Sequence, residues 1–188
     1  DNQTLFDMNA YKLPLNTSRA DRARVQILGA AINAFSQGIA YYHAGIDILR
    51  SKSLDRNSSD SGDWFNRIDW SYRDNYFATG LLRKPYNGND YALIKPILDN
   101  TNIKPTAKEI LWTRDAFLDL LKIRASSSLF RLHNTEEIKS RLKFYNTGAL
   151  QEPTVIIGHL DGKNYPDAGF SELVYFINVD KAEHDIRI

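Results

Sequence analysis

Residues 18–42 read SRADRARVQILGAAINAFSQGIAYY and contain the first two elements that the sequence predicts. Ser18, with Asp21 three residues later, predicts the start of a helix that runs to residue 37. One face of this helix is apolar and consists of Ile27, Leu28, Ala31, Ile32, Ala34 and Phe35. Gly38 favours a stop after the helix. The short apolar run 38–42 then predicts a buried parallel strand.

A second helix is predicted further along the chain. Thr106 and Glu109 form a T-x-x-E capping box directly after Pro105, and the helix should run to about Ala125. Its buried face should carry apolar residues at helical spacing, namely Ile110, Leu111, Phe117, Leu118 and Leu121.

Beyond this helix the pattern changes to strands. The runs 141–146, 154–160 and 172–179 are short and rich in β-forming residues, and turn signals at Asn146-Thr147-Gly148 and Asp161-Gly162 separate them. The order of elements predicts the end of an α/β domain followed by an all-β domain. The seam between them should fall near residues 127–138.

Between residues 41 and 91 the sequence has neither helical nor strand periodicity, yet it holds 10 of the 22 aromatic residues. A flexible linker is poor in aromatics, because disordered chain cannot bury them. Long irregular segments within compact domains are usually binding or active-site loops. Flat aromatic faces beside carboxylates and guanidinium groups suit a ligand with apolar faces and many hydroxyls, such as a sugar.

Composition excludes several classes of function. The net charge is +1, which argues against a nucleic-acid partner and against docking on anionic lipid. No apolar run approaches the roughly 20 residues that span a bilayer. The chain has no cysteine, so disulfides, thiolate metal sites and cysteine nucleophiles are excluded. Residues 55–63 superficially match a calcium loop, but an EF-hand needs glycine where Asp60 stands.

The segment Gly62-Asp63-Trp64-Phe65-Asn66-Arg67 allows two interpretations. In the structural one, Gly62 makes a tight turn, both aromatic rings are buried, and Asp63 pairs with Arg67 at the surface. In the functional one, the tryptophan and its polar neighbours contact a ligand. Two tryptophans within seven residues of a polar loop favour the functional interpretation.

Six stretches together resemble the starch-debranching branch of the α-amylase superfamily, the pullulanases and limit dextrinases. They are DNQTLFD (1–7), SQGIAYYHAG (36–45), LRSKSLDR (49–56), SGDWFNRID (61–69), LKIRASSSLFRL (121–132) and KFYNTG (143–148). They occur in the family's order and cover nearly the whole chain. The stretch 36–45 resembles barrel strand eight, and the stretches 49–56 and 61–69 are particular to this branch. The stretch 121–132 resembles the last barrel helix, and 143–148 resembles the first strands of the C-terminal domain.

The resemblance implies a (β/α)₈ barrel followed by a β-sandwich. Residues 1–130 would be the C-terminal part of the barrel, with the end of strand seven, strand eight, the last helices and a substrate loop. Residues 139–188 would begin the sandwich. The implied reaction is hydrolysis of α-1,6-glucosidic branch linkages in pullulan, starch or glycogen limit dextrins by a retaining, three-carboxylate mechanism.

The resemblance also implies roles for individual residues. Asp1 matches the carboxylate that stabilises the transition state, whereas the nucleophile and the acid/base belong to barrel strands upstream of Asp1. Further substrate contacts are implied for Arg56, Asp63, Trp64 and Asn66, and for Asp90 or, as the alternative aligned position, Asn89. Two features depart from the family: Ile46 and Asp47 follow Gly45 where Gly-Asp-Glu is usual, and residues 139–188 are too few for a complete sandwich.

The chain starts at Asp1 without methionine, so we expect a segment of a larger enzyme that is inactive and unstable alone. Its partners would be an α-glucan and the rest of the barrel, with no nucleic acid and no membrane. The chemistry requires no cofactor, and structural calcium elsewhere in the parent enzyme is compatible with the resemblance. Two alternatives remain open: a non-catalytic glucan-binding module, and a relative that cleaves α-1,4 linkages.

Overall fold

The computed structural model describes residues 2–186, apart from the side chain of Asp60. The elements in chain order are α1 (Leu5–Lys12), α2 (Arg19–Phe35), α3 (Asp63–Asn66), α4 (Lys84–Asn87), α5 (Tyr91–Leu98), α6 (Ala107–Ala125), α7 (Thr135–Arg141), β1 (Leu142–Tyr145), β2 (Val155–Asp161) and β3 (Glu172–Asn178). Single 3₁₀ turns occur at Ile46–Ile48, Ser58–Asp60, Gly88–Asp90 and Ser128–Arg131. The two long helices and the three strands confirm the predicted elements, whereas α1, α5 and α7 were not predicted.

The long helices begin at the predicted caps. The Ser18 hydroxyl accepts the Asp21 amide at 3.1 Å at the start of α2. At α6 the Glu109 carboxylate accepts the Thr106 amide at 2.9 Å, which is one half of the capping box. Both contacts satisfy amides that a helix leaves without an intrahelical partner.

The predicted apolar face of α6 is only partly correct. Ile110 and Phe117 are buried, but Leu111, Leu118 and Leu121 are exposed. The buried stripe instead continues through Thr113, Leu120 and Arg124. Apolar residues surround much of this helix, and periodicity alone could not select which stripe is buried.

The predicted strand at residues 38–42 does not form within the described part of the chain. Ile39 is 92% exposed and Tyr41 is 85% exposed. A parallel strand needs hydrogen-bonded neighbours, and the strands of the described residues are β1, β2 and β3, which pair with one another. The prediction of a buried strand at this position was therefore wrong for the chain as described.

The described residues form two compact units. The first comprises residues 2–30 and 42–118, and its core surrounds an edge-to-face pair of Phe6 and Phe77 with ring centroids 5.7 Å apart. Residues of the irregular segment complete this core, including Leu49, Leu54 and Phe65. The segment is thus an ordered, partly buried loop.

The second unit comprises residues 31–41 and 119–186 and contains the antiparallel sheet β1-β2-β3. Leu160 lies opposite Leu142 on one side and Leu173 on the other, so these three side chains share a face. That face packs on Leu129 and Phe130. The assignment of the two units to a barrel and a sandwich stays a prediction.

Candidate functional site

A buried carboxylate joins α1 to the irregular loop. Thr4 caps α1 by accepting the Asp7 amide at 3.1 Å, which orients Asp7 toward residues 51 and 52. Ser51 Oγ donates to Asp7 Oδ1 at 2.5 Å, and the Lys52 amide donates to Oδ2 at 2.8 Å. Complete burial raises the pKa of the Asp7 carboxyl, and the hydrogen bonds from Ser51 and Lys52 offset part of this effect.

The loop that Asp7 contacts has an unusual backbone conformation. Leu49, Ser53 and Leu54 have φ values of 59°, 50° and 72°, in the left-handed region that side chains larger than glycine rarely adopt. Side-chain hydrogen bonds hold them there: Asn75 Nδ2 donates to the Leu49 carbonyl at 2.8 Å, and Ser53 Oγ donates to the Tyr76 carbonyl at 3.0 Å. Such strain persists where the surroundings fix the backbone, and it is concentrated at functional sites.

A cleft of about 280 Å³ opens beside this network in the first unit. Its lining consists of Asn2, Gln3, Thr4, Leu5, Gln26, His43, Ile46, Arg50 and Lys52. Burial, followed by the charges of Arg50 and Lys52, lowers the pKa of His43. The described lining offers amide, imidazole and cationic donors but no carboxylate. These residues can therefore bind and orient a polar ligand, but they lack the pair of carboxyl groups that glycoside hydrolysis uses.

Arg56 and Asp90, both predicted to bind substrate, are brought together as an ion pair. Their side chains are 49% and 33% exposed, so both remain accessible to a ligand. Asp55, which is buried, explains this juxtaposition: it accepts the Asn57 amide at 3.1 Å and Asn87 Nδ2 at 3.2 Å. Asp55, the residue before Arg56, is thereby linked to Asn87, which lies three residues before Asp90. Asn89, the alternative to Asp90, is exposed in the same 3₁₀ turn.

Helix α3 carries the three other predicted contacts. Asp63 is exposed in its first turn, and Trp64 is 55% exposed with its Nε1 donating to the Thr79 carbonyl at 3.1 Å. Asn66 Nδ2 donates to the carbonyls of Ser58 and Gly62 at 2.6 and 3.0 Å, so this side chain supports the loop.

The structural interpretation of this helix was partly correct. Phe65 is buried, as it requires, but Trp64 is not. Arg67 stacks its guanidinium between two rings, 4.4 Å from the Trp64 centroid and 3.8 Å from that of Tyr76. One face of the indole is thus fixed by a cation, which orients the ring.

The roles of several site residues were not predicted from the sequence. Asp7, Arg50 and Lys52 lie in the stretches 1–7 and 49–56 that resemble the family, but no role was predicted for them, because their contacts are with distant residues. A further local signal for Asp7 is its place in the first turn after Thr4, where carboxylates favour a helix N-terminus. Asp1, the predicted transition-state stabiliser, lies outside the described residues.

Metal and membrane features were examined within residues 2–186. In that range no group of three or more histidine and carboxylate side chains is arranged to hold a metal ion. None of the helices there combines the length and apolar character that crossing a bilayer demands.

Comparison with known proteins gives consistent matches. The family model described as "Alpha-1,6-glucosidases, pullulanase-type, C-terminal" matches residues 72–188. Pullulanase 1, chloroplastic, of Arabidopsis thaliana is 48% identical over 157 residues, which are 84% of this chain and 16% of that protein. A pullulanase of Klebsiella aerogenes is 37% identical over 161 residues, 86% of this chain and 15% of the relative. The chain thus spans about a sixth of the length of these relatives.

Solved structures agree. PulA from Klebsiella oxytoca superposes with a TM-score of 0.89 at 35% identity, over 95% of this chain and 17% of that one. A Klebsiella pneumoniae pullulanase complexed with maltotriose superposes with a TM-score of 0.86 at 36% identity, over 95% of this chain and 17% of that one. The helices and the three-stranded antiparallel sheet described above match these structures.

Proposed function

Because the chain belongs to the pullulanase-type family of starch-debranching glycoside hydrolases, and matches the C-terminal part of it, we propose that it is a segment of an α-1,6-glucosidase. The full-length protein would cleave branch linkages in pullulan, starch or glycogen limit dextrins. In this proposal the first unit completes the (β/α)₈ barrel, the second begins the β-sandwich, and further barrel strands cover Ile39 and Tyr41.

The observation that carries the proposal is the ion pair of Arg56 and Asp90 at the accessible surface of a strained, well-anchored loop. A guanidinium donates two hydrogen bonds to adjacent sugar hydroxyls, and a carboxylate accepts from others. The half-exposed indole of Trp64 offers an apolar face to a pyranose ring. These residues would hold a glucosyl unit beyond the one that is cleaved, with Asp63 and Asn89 beside them.

In the proposed mechanism the reaction retains configuration at the anomeric carbon. A nucleophilic carboxylate forms a glycosyl-enzyme intermediate and a second carboxyl acts first as acid and then as base. Both belong to strands upstream of Asp1. Asp1 is the third carboxylate, which binds the ring hydroxyls most tightly as the sugar approaches its oxocarbenium-like transition state. The proposed reaction needs no metal or organic cofactor.

The test compares the full-length protein with the 188-residue chain, both incubated with pullulan. We expect maltotriose from the full-length protein, because α-1,6 cleavage of pullulan releases that trisaccharide. We expect no hydrolysis from the chain alone, since in this proposal the nucleophile and the acid belong to strands upstream of Asp1. Products of α-1,4 cleavage would contradict the proposed specificity. Glucan binding without hydrolysis by the full-length protein would favour a non-catalytic glucan-binding module instead.

A further inference from the structure

Lys52 is a buried cation that contacts three separate segments of the first unit. Its side chain lines the cleft, yet the residue is only 4% exposed. Its Nζ donates to the Asn2 carbonyl at 2.7 Å and to Ser58 Oγ at 2.7 Å. Its backbone amide donates to Asp7 Oδ2 at 2.8 Å. One residue therefore joins the segment before α1, helix α1 itself and the 3₁₀ turn Ser58–Asp60.

Burial of this ammonium is costly, because a charge loses its hydration when it leaves water. Burial is accordingly the largest influence on the Lys52 pKa and lowers it, while the nearby Asp7 carboxylate acts in the opposite direction. A methionine would fill the same volume without that cost. The side-chain hydrogen bonds to Asn2 and Ser58, which only a donor can make, are what distinguish lysine from an apolar residue here.

We propose that Lys52 is a positioning residue, which fixes the Asn2 carbonyl relative to the substrate loop at Ser58. Asn2 directly follows Asp1. The contact therefore fixes the backbone next to the residue that is predicted to supply the third carboxylate. The role of Asp1 rests on the proposed function, whereas the positioning of Asn2 rests on the contacts of Lys52 alone.

The consequence should be kinetic. Displacement of a catalytic group by about 1 Å can cost on the order of 100-fold in rate. Lys52 itself donates to protein atoms, so its removal should spare ground-state binding and act mainly on the transition state. A change confined to the transition state lowers kcat and leaves KM nearly constant.

The experiment uses the full-length protein with pullulan as the substrate. Lys52→Met should lower kcat about 100-fold, with KM within about threefold of the unchanged enzyme. Lys52→Arg keeps a cationic donor and should recover at least about tenfold of that loss. The control is Lys104→Met, which removes a partly exposed lysine paired with Asp74 at 3.0 Å and should leave kcat unchanged.

Ser58→Ala provides a second test, in which Lys52 itself is unchanged. It removes the Ser58 hydroxyl oxygen that Nζ contacts at 2.7 Å, and kcat should fall by about fivefold to tenfold. The proposal is overturned if Lys52→Met keeps kcat within about threefold, or if the Met and Arg variants lose equal activity together with thermal stability.

Hydrogen exchange separates this proposal from the proposed function. In Lys52→Met, amides of residues 3–8 and of residues 50–58 should both exchange faster, because both segments lose a shared anchor. If the full-length protein proves inactive on pullulan, the proposed function fails and the exchange pattern alone decides the role of Lys52. Faster exchange in one segment only, or in neither, contradicts the positioning role.

Discussion

In the sheet β1-β2-β3, backbone groups bond to one another in a regular antiparallel register, whereas in residues 49–58 several of them bond to side chains instead. The sheet repeats one local rule along each strand, so any residue with a suitable side chain maintains it. The loop has no repeating rule, and its backbone depends on individual partners such as Asp7 and Asn75. Regular structure is therefore tolerant of substitution outside its core, while the candidate site depends on single buried polar groups.

The largest effect in the loop should follow Asp7→Ala. This change leaves Ser51 Oγ and the Lys52 amide buried without their acceptor, and the local free energy of unfolding should fall by about 4 kcal/mol. Native-state hydrogen exchange of the Lys52 and Ser53 amides in the full-length protein measures it directly. The exposed Asp115→Ala should change the same amides by less than about 1 kcal/mol. Equal effects from the two variants would show that the loop does not depend on Asp7.

The sheet should respond to apolar volume instead. Ile157 is fully buried at the centre of β2, and Ile157→Ala should cost about 3 kcal/mol through lost burial and a cavity. Ile156, its neighbour in the same strand, is exposed, and Ile156→Ala should cost less than about 1 kcal/mol. Exchange of the β2 and β3 amides provides the measurement. A larger cost at residue 156 than at 157 would invalidate the assigned faces of the sheet.

Arg56→Ala tests the accessible part of the loop. In the proposed function Arg56 donates to the substrate, so its loss should raise KM for pullulan by about tenfold to 100-fold, with little change in kcat. Arg24→Ala is the matched control, because Arg24 pairs with Asp21 at 3.1 Å on the exposed surface of α2. Its kinetics should equal those of the unchanged enzyme. An unaltered KM in the Arg56 variant would show that Arg56 does not bind the substrate.

The smallest effect concerns pH. The Ser71 hydroxyl, followed by the amides of Ser71, Asp74 and Arg73, lowers the Asp69 pKa from 3.8 to about 2. Because the folded-state pKa lies below the unfolded one, the stabilisation is complete above about pH 4 and is lost as the pH falls toward 2. Exchange of residues 70–76, corrected for its intrinsic pH dependence, should show this loss. Asp69→Asn should abolish the pH dependence in that window, and its persistence would assign it to another group.

The difference between regular and irregular structure also explains which predictions from the sequence were correct. The three strands and the beginnings of α2 and α6 were predicted correctly, because period and caps are local properties. The buried stripe of α6 was not, since it depends on Arg124, which donates to the carbonyls of Ala34 and Gly38 at 2.6 Å each. The strand at residues 38–42 failed because pairing requires a neighbour that periodicity cannot supply.

The candidate site shows the same limit. Arg56 and Asp90 were predicted from a resemblance in their motifs, and the structure brings them into contact. That contact depends on Asp55 and Asn87, which are 32 residues apart. Lys52 and Asp7 were missed because their partners lie 50 and 44 residues away in the chain. Contacts at such separation leave no local pattern in a single sequence.

The most direct test of the central claim is the kcat of Asp1→Asn in the full-length enzyme on pullulan. If this chain supplies the carboxylate that stabilises the transition state, kcat should fall on the order of 1,000-fold while the fold and glucan binding persist. Asp115→Asn should leave kcat unchanged. Retention of kcat within about tenfold in Asp1→Asn would contradict the account, because the chain would then contribute substrate contacts but no catalytic group.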